Sequence, residues 1–519
     1  MRTFADNALR YGRDVYGPKH TPLFVDGLNV DTHEPAVWEL PEQYVESWKM
    51  PSRWIMCNLA SQQNFFRTLI ALSQLTGNPQ YKRAAVDAMR YGFDHLRHPC
   101  GLLYWGGHTA WDLETDQPVG EGRTDGVAGK HEFKRNYPFY EFLWEIDPKL
   151  TREFIESFWS NHVLDFSTLD FNRHGKYNPV PADPWGHAYV GGPIPFIGKG
   201  LTFTHTGSDL FYAAAMLSVL GDDERPLVWA KRLAGRYHEA CDPRTGLGAD
   251  NFSEEQTRRF VQQFGPEFGE RLTEATFTSV YGARYRFMAV CQLKLAERLG
   301  SKGREFGQWA VKDLTAYARH AYDPGDNTFW ATLIDGTKLS PADRKRGGYV
   351  REDWLAKRKP DSHLFWAYVS AYKLSGDRLM WDMTRNLARG FQLGEFGSEP
   401  GASGRPNMDT SASDPLLILA LLDLHATTKE RAFLDLARKV GDNLLAGQFH
   451  HGFFVADKDH LFCKLDTITP LALIYLDVAL QGTAAQLPFY CGSEGFFHCS
   501  FEGQGRTYDR SAIYTRLRK

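Results

Sequence analysis

The sequence predicts an all-α fold, an (α/α)6–7 toroid of helical hairpins with long rim loops and short β hairpins, on three observations. From about residue 51 one unit recurs: a helix, a short turn containing Gly or Asp, a second helix, then a Gly- and aromatic-rich loop. Apolar residues in these helices follow the 3.6-residue period, as at Val228, Ala230, Leu233, Ala234 and Tyr237. Each hairpin carries an apolar face that it cannot bury alone, so the copies must pack side by side. Long irregular loops fit a closed barrel with a functional rim better than an open solenoid.

Residues 1–50 read as an irregular leader packed on the barrel. Pro18, Pro22, Pro35 and Pro41 break any helix there, and Tyr11, Tyr16, Phe24 and Trp38 supply packing groups. The toroid catalytic domain spans 51–483. Its first hairpin runs through Asn64–Leu72, turns at Thr76-Gly77-Asn78-Pro79, returns through Ala84–Leu96 and ends in the loop 100–108. The second takes Tyr137–Ile146, a turn at Asp147-Pro148, Arg152–Val163 and the loop 165–178. The third starts near Asp209, turns at Gly221-Asp222-Asp223, and continues through Val228–Ala240 to the loop 242–248. Later copies turn at Gly300–Gly303, Ser375-Gly376-Asp377 and near Thr427-Thr428. In a toroid the loop after each second helix falls on one rim, which makes the loops 100–108 and 165–178 neighbours. The extension 484–519 departs from the repeat; Phe496-Phe497-His498-Cys499 alternates like a short strand or lid.

Composition narrows the function classes. The chain has 519 residues, 43% hydrophobic and 24% charged, with a formal net charge of −3, which is enough apolar material for a large core. With no basic bias, a nucleic-acid partner is not expected. Aromatics reach 14%, a content that suits sugar-ring stacking as well as an aromatic core. The 7 cysteines are dispersed without a CxxC pair, against a disulfide framework or zinc cluster. No apolar run reaches membrane-spanning length, so no membrane partner is expected. Met1–Asp6 has no signal-peptide pattern; the protein is periplasmic or secreted if a signal was removed, otherwise cytoplasmic.

The residues that can do chemistry concentrate between 100 and 208. His108 ends Tyr104-Trp105-Gly106-Gly107-His108, and His174 sits in Asp170-Phe171-Asn172-Arg173-His174-Gly175. Two loop histidines on adjacent repeats point to a shared site. Between them Lys130-His131-Glu132-Phe133-Lys134-Arg135 gathers one histidine, one carboxylate and several cations. Either His131 or Glu132 suits a metal-ligand role, and sequence does not separate them. Two imidazoles with one carboxylate suit a divalent transition metal and leave positions open for substrate oxygens, whereas calcium prefers more carboxylates. By residue type Arg173 reads as a bidentate carboxylate clamp, since a guanidinium with an intrinsic pKa above ~12 is a poor base in water. Asp183–Tyr189 and Thr204–Ser208 are expected to continue the same rim and line a sugar groove, and His363 reads as a packing residue. No GxSxG, HExxH or P-loop occurs.

The order Gly-Gly-His, then His-Glu leading into an aromatic helix, then Asn-Arg-His-Gly resembles polysaccharide lyase family two, the α/α-barrel pectate lyases. The motif match covers about residues 100–178. The resemblance implies that His108, Glu132 and His174 hold a divalent transition metal, Mn2+ above others. It implies that Arg173 is the base that takes the C5 proton of an acidic polysaccharide or oligosaccharide, giving a 4,5-unsaturated product by β-elimination. Trp105, Tyr177 and Trp185 are candidate stacking platforms, Lys134 and Arg135 candidate carboxylate partners, and His205 a groove residue. The rival readings are an α/α-toroid glycoside hydrolase or sugar epimerase, with Asp112, Asp170 or Asp209 as acids, and a carbohydrate-binding protein without catalysis.

Overall fold

A computed structural model describes residues 1–42, 45–46, 50–120, 129–193, 197–268, 271–272, 276–278, 282–402, 404–500 and 506–518. Part of the segment 109–130, at residues 121–128, lies outside the described residues.

The helices are α1 (Arg2–Tyr11), α2 (Gln63–Thr76), α3 (Pro79–His95), α4 (Tyr140–Ile146), α5 (Pro148–His162), α6 (Thr204–Leu220), α7 (Arg225–Glu239), α8 (Glu254–Phe264), α9 (Ala289–Leu299), α10 (Arg304–His320), α11 (Ser362–Ser375), α12 (Arg378–Gly390), α13 (Pro415–Thr428), α14 (Arg431–Gln448) and α15 (Thr469–Gln481), with a last turn, α16, at Asp509–Ala512. The α/α-hairpin class expected from the repeat is the class observed. The turns are built from the residues that mark them. Gly77 and Gly376 close α2 and α11 in the left-handed region (φ 70° and 67°). Asn78 and Asp377 then cap the following helices through their side-chain oxygens.

The two helices of a hairpin differ in what they bury. In α2 every residue from Gln63 to Leu72 is buried, and α6 is buried from Thr206 through Leu217. In α3 burial recurs at Tyr81, Ala84, Ala85, Ala88, Met89, Gly92 and Phe93, one stripe of a helix with a wet back. Helices α2 and α6 are therefore buried on nearly all sides, and α3 packs over α2 with one stripe.

The chain folds into two compact units. The first comprises Met1–His162, His174–Pro184 and Gly441–Lys519. In it α3 and α15 pack on α2, and α1 touches α2. A four-stranded antiparallel sheet runs Val37–Glu39, Arg53–Cys57, Thr109–Asp112, Gln117–Gly120. Leader and tail share its core: Trp38 stacks on Trp54 (5.5 Å, 5°), and Phe497, Ile513 and Tyr514 pack beside them. The second unit comprises Val163–Arg173 and Trp185–Val440. Its inner helices pack in chain order, α6 on α9, α9 on α11, α11 on α13.

Several local expectations are corrected. The leader is not irregular throughout, because Arg2–Tyr11 is a helix that buries Phe4, Ala5 and Ala8 ahead of the first proline. The second hairpin starts at Tyr140 rather than Tyr137, since Pro138 intervenes and Tyr137 has φ 36°. The third hairpin starts at Thr204 rather than near Asp209, so Thr204–Ser208 forms the first turns of α6. Burial overrides the weak helix propensity of Thr, Gly and Ser there. Gly207 admits the Tyr237 hydroxyl to 2.5 Å from where a Cβ would stand.

The second unit is tied by a buried ion pair. Arg284 Nε and Nη2 donate to the two Asp313 oxygens at 3.0 and 2.9 Å, and Nη2 also donates to the Tyr237 carbonyl. Burial works most strongly against the guanidinium's charge, but Asp313, Cys241 and Tyr285 together outweigh it and hold Arg284 above its ordinary value. Removing one partner strands the other charge. Arg284→Met is expected to cost about 3–5 kcal/mol, read as a fall in the denaturant midpoint; an unchanged midpoint would contradict a stabilising pair.

Candidate functional site

Four chain segments of the first unit meet at the Glu132 carboxylate. His108 Nε2 lies 3.1 Å from Oε2, His174 Nε2 3.5 Å from Oε1, Lys134 Nζ 3.0 Å from Oε1, and His498 Nδ1 3.9 Å from Oε2. The rings of His108 and His174 are 5.0 Å apart, those of His108 and His498 4.1 Å. Glu132 and His498 are 0% exposed and His108 2%. The loops 100–108 and 165–178 thus meet, as their places in the repeat imply.

Backbone geometry sets this convergence. Gly107 donates its N–H to the Glu132 carbonyl at 2.8 Å. A Cβ on Gly106 (φ 119°) would stand 2.5 Å from that carbonyl, and one on Gly107 2.9 Å from Glu132 Oε2. Only glycine permits so close an approach. Asn58 brackets Gly106, accepting from its N–H (2.9 Å) and donating to its carbonyl (2.7 Å), and Asp26 Oδ1 accepts the Asn58 N–H at 2.7 Å. On the other side His131 and Gly175 exchange both backbone hydrogen bonds, at 3.1 and 2.9 Å, which sets Glu132 beside His174.

Extended backbone alternates its side chains, and this separates His131 from Glu132. His131 points away, its Nδ1 2.9 Å from His162 Nε2, among Phe133, Phe154 and Phe158. Burial first, and His162 second, push its imidazole well below the usual range, so it stays neutral. The pair therefore packs the site from behind: His162 lies where a Cβ on Gly175 would be, 2.4 Å away.

Other sequence candidates are placed differently. Trp105 is 0% exposed, packed on Phe133 and Phe154, so it presents no stacking face. Trp185, in the second unit, is also buried, and its carbonyl accepts the Trp229 indole N–H. Lys134 is engaged by Glu132, and Arg135 pairs with Glu494 at 2.9 Å. Tyr177 is half-buried beside His98 and Tyr104, with burial raising its hydroxyl above the ordinary value. His205 belongs to α6 in the second unit, near the Phe203 ring. His363 packs on Phe287, as read from sequence. Arg173 belongs to the second unit, where its N–H donates to the Leu201 carbonyl and its guanidinium lies 4.9 Å from the Phe203 ring centre. The peptide bond to His174 joins it to the first unit.

Sequence reasoning missed His498. The alternation at Phe496–Cys499 marked a strand, and His498–Ser500 is one, paired with Arg506–Tyr508. Nothing local said that its histidine faces the Gly-Gly-His loop.

Among the described residues, His108, Glu132 and His498 form one of three groups with metal-ligand geometry. In the second group, His238, Cys241 and Asp313, the Arg284 guanidinium already contacts Cys241 Sγ (3.0 Å) and neutralises Asp313. In the third, Asp31, His450 and His451, Arg518 forks onto both oxygens of Asp31 at 2.9 Å. Only the first combines full burial with imidazoles, and His174 adds another imidazole at its edge. That donor set fits a divalent transition ion.

Residues 21–500 match the profile of a family described as periplasmic pectate lyase. A pectate disaccharide-lyase of Dickeya dadantii (strain 3937) is 29% identical over 544 residues, covering 99% of this chain and 95% of that protein. Solved structures similar to this chain include a GH76 α-mannanase of Bacteroides thetaiotaomicron (10% identity, TM-score 0.43, 93% of this chain and 96% of that one). A cellobiose 2-epimerase of Spirochaeta thermophila also matches (11%, TM-score 0.40, 85% and 97%).

Asp26, which fixes Asn58 and through it Gly106, titrates far from the usual range. Burial pushes its carboxyl up to about 8, against the Asn58 N–H, Lys464 and Gln62, which favour the anion. Between the ordinary carboxylate value and about 8 the folded chain holds a proton that the unfolded chain has released. That contribution to stability is complete below the ordinary value and is lost as pH rises through the folded one. Asp26→Asn is therefore expected to gain on the wild type from pH ~5 to ~8, by up to about 1.4 kcal/mol per pH unit, read from denaturant midpoints. A pH-independent difference would refute it.

Proposed function

This chain belongs to the periplasmic pectate lyase family and is a pectate-type polysaccharide lyase acting on an acidic polysaccharide; on that premise we propose that His108, Glu132 and His174 hold its metal, that the metal is Mn2+, and that Arg173 is the base. The observation that carries the reading is the buried Glu132 carboxylate with His108 Nε2 at 3.1 Å and His174 Nε2 at 3.5 Å. When bound, a divalent ion supplies Lewis acidity that draws charge from a uronate carboxylate and acidifies the C5 proton.

On this reading Arg173 takes the C5 proton. The C–H electron pair becomes the C4–C5 double bond as the C4–O4 bond breaks, leaving a 4,5-unsaturated sugar at the new non-reducing end. Lys134, paired with Glu132 at 3.0 Å, is the candidate partner for a substrate carboxylate. Half-buried Tyr177 is the stacking platform retained from the original candidates. The three-part division into leader, catalytic domain and C-terminal extension stands as a functional proposal, in which 51–483 carries most of the site. A periplasmic location follows the family's description; no described helix is long and apolar enough to cross a membrane.

A hydrolase needs two acids free to flank the scissile bond. Asp112 instead accepts N–H groups from Ile55 and Glu114, and Asp170 accepts those of Lys199 and Gly200, so both serve backbone.

With polygalacturonate, absorbance from the unsaturated product should grow only with metal, cease with a chelator and return with Mn2+; growth in excess chelator would remove the metal from the reaction. His174→Ala should weaken metal binding at least about 10-fold and activity with it. Arg173→Lys should keep the metal and lose roughly 100-fold in turnover below pH ~9, since general-base action contributes about that much; full activity with an unchanged pH profile would end the base assignment.

A further inference from the structure

We infer that His498, from the C-terminal extension, is a further protein ligand of the same ion, so that the finished site presents three imidazoles and one carboxylate. The inference rests on the metal-site reading above.

Placement is the first argument. The His498 N–H donates to the Gly107 carbonyl at 2.8 Å, so the tail strand adds alongside the Gly-Gly-His loop at the residue before His108. This brings the rings of His108 and His498 to 4.1 Å and puts His498 Nδ1 3.9 Å from Glu132 Oε2. Donor atoms of His108, Glu132 and His498 lie within 4.8 Å of one another, and His108 Nε2 and His498 Nδ1 stand 3.1 and 3.9 Å from Glu132 Oε2, inside the roughly 4.4 Å that two bonds of about 2.2 Å to one ion can bridge. His108 and His498 approach Oε2, while His174 and Lys134 approach Oε1.

Rigidity is the second. The tail is pinned along the residues just before His498. Arg67 Nε donates to the Phe489 carbonyl (2.9 Å), Asn64 Nδ2 to the Ser493 carbonyl (3.1 Å), Lys464 Nζ to the Gly495 carbonyl (2.7 Å), and the Glu494 N–H to the Arg135 carbonyl (2.9 Å). Phe496 and Tyr508 hold the imidazole, with ring centres 5.5 and 5.0 Å away. A side chain held by its neighbours in this way is preorganised for ligation. A third imidazole also shifts the donor set further from the all-oxygen preference of calcium and magnesium toward transition ions.

The test titrates chelator-stripped full-length protein with Mn2+, Co2+ and Ca2+ by calorimetry, for wild type, His498→Ala and His498→Gln. Both variants should bind Mn2+ and Co2+ at least about 10-fold more weakly, while Ca2+ binding changes little. A readout without mutation accompanies it: Co2+-loaded wild type should show hyperfine-shifted imidazole N–H signals from three histidines. Affinities unchanged in both variants, or signals from two histidines only, overturn the inference and leave the His108–Glu132–His174 reading standing. A wild type that takes up no transition metal overturns that reading, and this inference with it. The apo forms' unfolding midpoints separate a lost ligand from a lost fold, and His498→Gln retains a polar side chain of similar reach should His498→Ala unfold.

Discussion

Taking the Glu132 carboxylate out of water costs several kcal/mol unless positive or metal-binding groups surround it, and the first unit is arranged to meet that demand. Lys134 lies on one oxygen and His108 on the other, with His174 and His498 completing the ring. Such a cluster holds only if the backbones carrying it approach more closely than side chains normally allow. Gly106, Gly107 and Gly175 satisfy that condition, each where a Cβ would collide with the neighbouring segment. The glycines flanking the chemical residues are therefore part of the site.

Scaffold and site divide the work. Inner helices such as α2 and α6 are buried over almost their whole circumference, and outer helices such as α3 cover them with one stripe. Those elements carry stability, and the loops after the second helices carry the reactive groups. The chain passes from the second compact unit back to the first at the Arg173–His174 bond.

Membership of the pectate lyase family makes sense of an arrangement with one buried carboxylate and several imidazoles. β-Elimination needs charge withdrawn from a uronate and a proton removed, not a pair of acids flanking a bond. The buried histidine pair His131–His162 belongs to the support: the neutrality of His131 and the aromatic surroundings suit a packing role behind Glu132 and His174.

The hairpin repeat, the turn chemistry at Gly77-Asn78 and Gly376-Asp377, and the meeting of His108 with His174 were all legible in the sequence. Each follows from local periodicity, capping preference or place in a repeat. That Glu132 rather than His131 faces His108 was not, because it depends on which side of an extended segment faces the loop. Trp105 and Trp185 carried the right residue type for sugar stacking, yet packing buried both. His498 was out of reach altogether: a strand pattern shows that a side chain alternates, and only the docking of that strand on Gly107 shows what it faces. By itself the sequence determined which faces are apolar and where turns fall, since those are properties of neighbouring residues. Only the tertiary structure decided which distant side chains share a buried charge, because that depends on contacts between segments far apart in the chain.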